Sequence, residues 1–200
     1  MSMQLRITHR TGFTYSGSAA ASYNQARLTP LTSADQIVVH SQVDVTPKPW
    51  VYEYRDYFGT QVTAFEVLDP HDAMTVTSTS TVQTHRAVPD GPVLDWADLG
   101  AREVADRWTE YLVLDETVAP PDDLRRRVER LREDGAPPAA TGRAVCAMLH
   151  DEVEYLPGST DAGSRAAEAW AQRAGVCQDL AHLAIGALRT LGVPARYVSG

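Results

Sequence analysis

Gly175-Val176-Cys177-Gln178-Asp179-Leu180-Ala181-His182-Leu183-Ala184-Ile185-Gly186-Ala187-Leu188-Arg189-Thr190-Leu191-Gly192-Val193-Pro194 is the stretch on which the reading of this chain turns. Apolar or small residues at 180, 181, 183 to 188 and 191 cover most of the circumference of a helix over Cys177–Leu191. A surface helix keeps its apolar residues to one stripe, so this one belongs inside a domain. Gly192 supplies a left-handed stop and Pro194 prevents continuation. Ala195–Ser199 then reads as a strand entering a sheet, and Gly200 is the last residue.

The helix begins at a cysteine. A thiol attacks as its thiolate, and the free N–H groups and dipole of a helix N-terminus favour that form. The same donors can hydrogen-bond an oxyanion forming on a neighbouring carbonyl carbon. Gly175 would let a substrate backbone pass close by. The arrangement suits acyl transfer through a thioester, although a free cysteine is most often a small buried hydrophobe. Asp179 and His182 lie two and five positions on, roughly 200° and 140° around the helix from Cys177. Neither is placed to act as its base. Asp179 reads as a cap or an arginine partner, and His182 as a packing histidine with its ring hydrogen-bonded nearby.

Further upstream the period stays helical. Pro121–Glu133 has Pro121 near its start and Gly135 beyond its end. Thr141 can cap a helix reaching about Val153, with Val145, Leu149 and Val153 spaced four apart. A short helix over Ala166–Arg173 ends by Gly175, and Leu99–Leu112 is a further candidate. Cys146, mid-helix beside Val145, Ala147 and Met148, reads as core. A thiol switch between Cys146 and Cys177 is the weakest reading of the pair. Arg125, Arg126, Arg127, Arg130 and Arg132 are matched by Glu129, Glu133 and Asp134, which describes a solvated helix face.

Before about Val88 the texture is β. Leu5 and Ile7, then Phe13 and Tyr15, alternate with polar residues. Val39, Ser41, Val43 and Val45 share one strand face, and Val76, Ser78, Ser80 and Val82 another. Turn signals separate these runs at Thr46-Pro47-Lys48-Pro49, Phe58-Gly59-Thr60 and Asp69-Pro70-His71-Asp72. This spacing fits a small antiparallel sandwich, and Pro89-Asp90-Gly91-Pro92 divides it from the helices. The expected domains are 1–88 and 89–200. His9, His40 and His85 read as isolated strand residues. His71-Asp72 sits in a turn and could bind a metal, but a pair with no further ligands is a weak signal, and neither a metal site nor a cofactor is expected. Trp50, Trp96, Trp108 and Trp170 read as packing residues.

Composition narrows the classes of function. With 44% hydrophobic residues the chain can build a core, and its net charge of −8 disfavours nucleic acid or an anionic membrane as partner. No apolar run reaches the roughly 20 residues that span a bilayer. Two cysteines and no signal-peptide pattern point to the cytoplasm.

Gly175 to Leu183 followed by Leu188 to Gly200 resembles the nucleophile segment of bacterial transglutaminase-like proteins, without a gap. Tyr155-Leu156-Pro157-Gly158-Ser159-Thr160 resembles the loop leading into it. Ile7-Thr8-His9, Tyr15, Arg27-Leu28-Thr29-Pro30, Asp56-Tyr57-Phe58-Gly59 and Pro70-His71 are similar, in family order, to the β-domain that precedes such cores. The resemblance implies an α+β fold: an N-terminal β-sandwich followed by the helical half of a papain-like core. It also implies a Cys-His-Asp site acting on peptide or protein amides, in which Cys177 matches the nucleophile. The family's histidine and aspartate come from later strands, and no residue here matches them. The 200-residue chain is therefore expected to be inactive, and to self-associate through its uncovered helix face and the edge strand Ala195–Ser199. A non-catalytic interaction module using the β-domain is the alternative.

Overall fold

The computed structural model describes residues 2–85 and 94–198. The chain divides into two compact units, the first reaching Asp90 and the second Gly91–Ser199. The proline-glycine boundary and the terminal pair Ser199-Gly200 lie outside the described residues.

Among the described residues of the first unit six strands form two antiparallel three-stranded sheets. One holds β1 (Ser2–Ala19), β6 (His71–His85) and β3 (Gln36–Thr46), in the order β1-β6-β3. The other holds β2 (Ser22–Ala26), β5 (Gln61–Val67) and β4 (Trp50–Arg55), in the order β2-β5-β4. Alternation sorts β6 as its sequence predicts: Met74, Val76, Ser78, Ser80 and Val82 are all buried. The two serines are not left unsatisfied there, since Ser80 bonds Ser41 at 3.0 Å and Ser78 donates to the Leu28 carbonyl at 3.2 Å. On β3 the expected face is corrected at one end. Val43 and Val45 oppose Ser78 and Val76, but the register shifts between Val38 and His40 and leaves Val39 exposed. The extra residue of such a bulge moves every side chain before it to the opposite face.

The quoted family motifs turn out to be contacts. Arg27 and Asp56 meet as an ion pair at 3.3 Å. Asp56 also accepts the N–H groups of Phe58 and Thr60 at 3.0 and 2.9 Å, closing the β4–β5 turn in which Gly59 has φ +77°. His71 begins β6 instead of sitting in the preceding turn. Its two ring nitrogens engage Ser22 at 2.9 Å and the Asp69 carbonyl at 2.8 Å, and Tyr15 stacks edge-on at 5.5 Å. Both nitrogens are therefore spent on packing. Among the described residues no cluster of metal-ligating side chains is present.

The second unit is built around α6 (Cys177–Thr190), against which α3 (Asp122–Glu133), α4 (Pro138–Glu152) and α5 (Ala166–Gln172) pack. Its core contains Leu124 and Val128 of α3, Val145 and Leu149 of α4, Trp170 of α5, and Leu183 and Ala187 of α6. Every α6 residue after Cys177 is buried or half-buried, in keeping with its apolar circumference. Gly192 has φ +79° and stops the helix.

Several local expectations are corrected. Leu99–Leu112 is broken into α1 (Trp96–Leu99), α2 (Arg102–Arg107) and a 3-10 turn over Thr109–Tyr111. Asp95 and Asp98 cap α1 reciprocally at 2.8 and 2.9 Å, so that helix starts and finishes within a single turn before Gly100. Thr141 does not cap α4. The helix starts three residues earlier at Pro138, and the buried Thr141 hydroxyl donates to the Ala136 carbonyl at 3.3 Å. Cys146 is exposed, on the solvent side of α4, instead of in the core. Trp50 and Trp108 are exposed too, while Trp170 is buried. Helix α5 ends at Arg173, which itself adopts the left-handed conformation at φ 55°, and Gly175 lies beyond it in a strand.

Arg125, Arg126 and Arg130 face solvent, as a solvated helix face requires, but Arg127 turns to α4 and forms a double hydrogen bond with Glu152. Finally, Ala195–Val198 pairs with no strand among the described residues. The Ala195 N–H donates to the Tyr111 carbonyl at 3.0 Å, and its carbonyl accepts the Arg189 guanidinium at 2.8 and 3.1 Å. Both backbone groups of Ala195 are thereby engaged within the chain. No helix among the described residues is long and apolar enough to cross a membrane.

Candidate active site

The site is assembled where a short parallel pair of strands delivers the chain into α6. Strands β7 (Glu154–Tyr155) and β8 (Ala174–Gly175) pair in register, and the Leu156 N–H donates to the Gly175 carbonyl at 2.9 Å. Loop 156–164 thereby lies beside the start of α6. Gln178 Nε2 reaches the Ala162 carbonyl at 3.3 Å, which ties the loop to the first helical turn.

Cys177 is the first residue of α6 and is exposed, unlike the rest of the helix. The residue before it occupies the N-cap position and is Val176, whose side chain has no hydrogen-bond acceptor. Accordingly α6 carries no side-chain cap at its start. An exposed thiol therefore stands at the positive end of a helix whose first-turn N–H groups no side chain takes up.

Asp179 points the other way. It is 0% exposed. Oδ2 accepts the Val176 N–H at 2.7 Å and the Thr160 hydroxyl at 2.5 Å, while Oδ1 has no partner. It caps its own helix, one of the two roles open from sequence, and pairs with no arginine. Gly175 has a different reason from the one its sequence suggested. A Cβ there would lie 2.7 Å from Asp179 Cβ and 3.0 Å from Oδ2, so the glycine makes room for the aspartate. Thr160 is a site residue that the sequence reading does not single out. The available signal was an acid three places after the N-cap, the rear half of a capping box.

His182 packs its ring against Tyr197 at 5.5 Å, but its Nδ1 is buried without a partner, so the expected ring hydrogen bond there is not made. Among the described residues no histidine hydrogen-bonds the Cys177 thiol. Cys146 and Cys177 are both free thiols.

Comparison with known proteins agrees with this architecture. Residues 5–83 match the model of the bacterial transglutaminase-like N-terminal region, and residues 125–200 match that of the transglutaminase-like superfamily. An uncharacterised protein of Mycobacterium leprae is 39% identical over 199 residues, which cover 98% of this chain and 70% of that one. The chain belongs to the bacterial transglutaminase-like family. Uncharacterised proteins of Mycobacterium tuberculosis and Mycobacterium bovis are 33% identical over 220 residues, and this transglutaminase-like chain spans 64% of their length. A crystal structure of a candidate cysteine protease from Cytophaga hutchinsonii superposes with a TM-score of 0.73 at 21% identity, covering 97% of this chain and 67% of that one. That likeness is one of fold.

Proposed function

We propose that Cys177 is the nucleophile of an acyl transfer on peptide or protein amides. The sulfur attacks the amide carbonyl as its thiolate, the tetrahedral oxyanion takes hydrogen bonds from the α6 N-terminus, and as the C–N bond breaks the amine leaves carrying the proton that the thiol gave up. The resulting thioester is resolved by water, which gives hydrolysis, or by a second amine, which gives a cross-link. The observation that carries the reading is a single one: the thiol is the exposed first residue of an otherwise covered helix whose N-cap cannot cap it. No metal or cofactor enters this chemistry.

Cys146 supplies an internal control, because it is equally a free, exposed cysteine but sits in mid-helix. At pH 7, iodoacetamide is expected to modify Cys177 at least about ten times faster than Cys146 in the same molecule. Peptide mass spectrometry over a time course measures both rates. Equal rates would remove the reading. Because no described histidine bonds to the thiol, residues 1–200 by themselves are expected to take up the label without turning over an amide. Amide turnover by them that vanishes in Cys177→Ala would overturn that part.

A second reading, an interaction module, is favoured by one feature. On the sheet β2-β5-β4, Tyr23, Trp50 and Tyr52 are exposed together around a concavity of about 410 Å3. If that face carries the biological role, Trp50→Ala abolishes it and Cys177→Ala leaves it intact.

A further inference from the structure

A helix start is ordinarily fixed from two sides. The N-cap side chain takes up an N–H of the first turn, and the residue at the third helical position reaches back to the N-cap N–H. In α6 only the second half exists, and it is built with care. Asp179 is fully buried and holds the Val176 N–H at 2.7 Å. Thr160 of the adjoining loop braces the same carboxylate oxygen at 2.5 Å, and Gly175 leaves the space that the carboxylate occupies. The other carboxylate oxygen is buried without a partner, an arrangement with a cost that packing alone does not call for. Val176 meanwhile leaves the first-turn donors uncapped.

We infer that Asp179 is the positioning residue of the Cys177 site, fixing the start of α6 from behind so that no N-cap side chain has to use the donors in front. The inference rests on Cys177 being the nucleophile. It gives the odd pairing of a valine N-cap with a buried acid a purpose: the turn is held rigid, and its N–H groups stay available to a thiolate or an oxyanion. Thr160 extends the clamp to loop 156–164, so the loop and the nucleophile turn move as one piece. Asp179 itself does not touch the reacting atoms.

Two single substitutions in the full chain separate this role from mere structural support. Val176→Thr keeps the side-chain shape and supplies the missing cap. It should raise the unfolding midpoint by roughly 2–4 °C, while lowering the Cys177-to-Cys146 alkylation ratio at pH 7 by about threefold or more. Thr160→Val removes one hydroxyl from the clamp and should lower both the midpoint and the ratio, with Thr160→Ser restoring both. Reactivity thus falls in both variants although stability moves in opposite directions, which a purely structural Asp179 would not produce. Should the ratio stay at its wild-type value in both variants, the positioning role is overturned and the nucleophile stands. A wild-type ratio near one overturns the nucleophile, and the positioning role with it.

Discussion

Gly186→Ala should destabilise the second unit by about 3 kcal/mol or more and lower its unfolding midpoint on the order of 10 °C. The sign is the informative part. In an exposed helix interior the same exchange is favourable by nearly 1 kcal/mol, because alanine loses less backbone freedom on folding. Here a Cβ would lie 1.8 Å from the Val118 carbonyl oxygen and 3.0 Å from its carbon. That carbonyl cannot swing aside cheaply. Asp115 Oδ1 accepts the N–H groups of Thr117 and Val118 at 2.9 and 3.2 Å, and the Thr117 carbonyl is taken by the Ala166 N–H at 2.9 Å. The Thr117–Val118 peptide is thus fastened at both its N–H and its C=O while α6 is packed on by three helices, so the added methyl must displace one of them. Gly142→Ala is the control. Its Cβ would meet only Leu188 Cδ2 at 3.6 Å, an ordinary contact, and this change should be neutral or stabilising by up to about 1 kcal/mol. Thermal melts of the two variants beside the wild type decide it. A Gly186→Ala protein that melts no lower than Gly142→Ala would refute the close crossing.

Trp170→Ala is expected to cost about 3–5 kcal/mol, in the range of other large-to-small changes at buried aromatic residues. Trp170 is 2% exposed and makes more than an apolar contact. Its Nε1 donates to Asp123 Oδ2 at 2.7 Å, and the Arg173 guanidinium lies over the ring at 3.7 Å, with Arg127 at 5.6 Å. Both arginines also bond Glu152, so α3, α4 and the end of α5 are joined through one indole. Trp170→Phe separates the parts, keeping most of the ring while losing the N–H. Its cost should be clearly smaller, about 1–3 kcal/mol, the value of a hydrogen bond to a charged group. Equal losses in the two variants would mean the hydrogen bond, not the packing, carries the site.

The same bond predicts a response to acid. The Trp170 N–H bonded to Asp123 holds its carboxyl below the usual 3.8, against an opposing burial cost, with the Leu124 N–H and the nearby Arg173 charge adding to it in the same direction. Below pH 3.8 and above the lowered folded value, the unfolded chain binds more protons than the folded one. Asp123 therefore contributes its stabilisation fully above that window and loses it as the pH falls through it. Trp170→Phe should flatten this acid-side loss in urea titrations between pH 5 and roughly pH 2. An unchanged slope would show that Asp123 does not sense the indole. Since half of the Asp123 side chain is exposed, solvent keeps the effect modest.

What was legible in the sequence was local or periodic. The all-round apolar character of Cys177 to Leu191 marks a buried helix because a surface helix needs a polar face, and α6 proves to be the centre of its unit. The alternation of Val76, Ser78, Ser80 and Val82 identified the inner face of β6, since strand side chains alternate strictly. Cys177 could be placed at a helix start from its neighbours alone. The bulge that exposes Val39 was not legible, because an extra residue is set by pairing with β6 and leaves no trace in the pattern of β3. Nor was the fate of Ala195–Val198, a strand by composition that pairs with no described strand and whose Ala195 gives its N–H to Tyr111 and its carbonyl to Arg189.

The start of α6 shows the same division at a single turn. From the sequence alone a glycine, a valine, a cysteine and an acid in that order determined that a thiol would stand at a helix N-terminus. Only tertiary structure decided that Asp179 turns inward, that Thr160 meets it, and that Gly175 is there to admit it. The reason is physical. Helix position follows from spacing along one chain, whereas the partner of a buried carboxylate is chosen by whichever distant segment packing brings within hydrogen-bond reach.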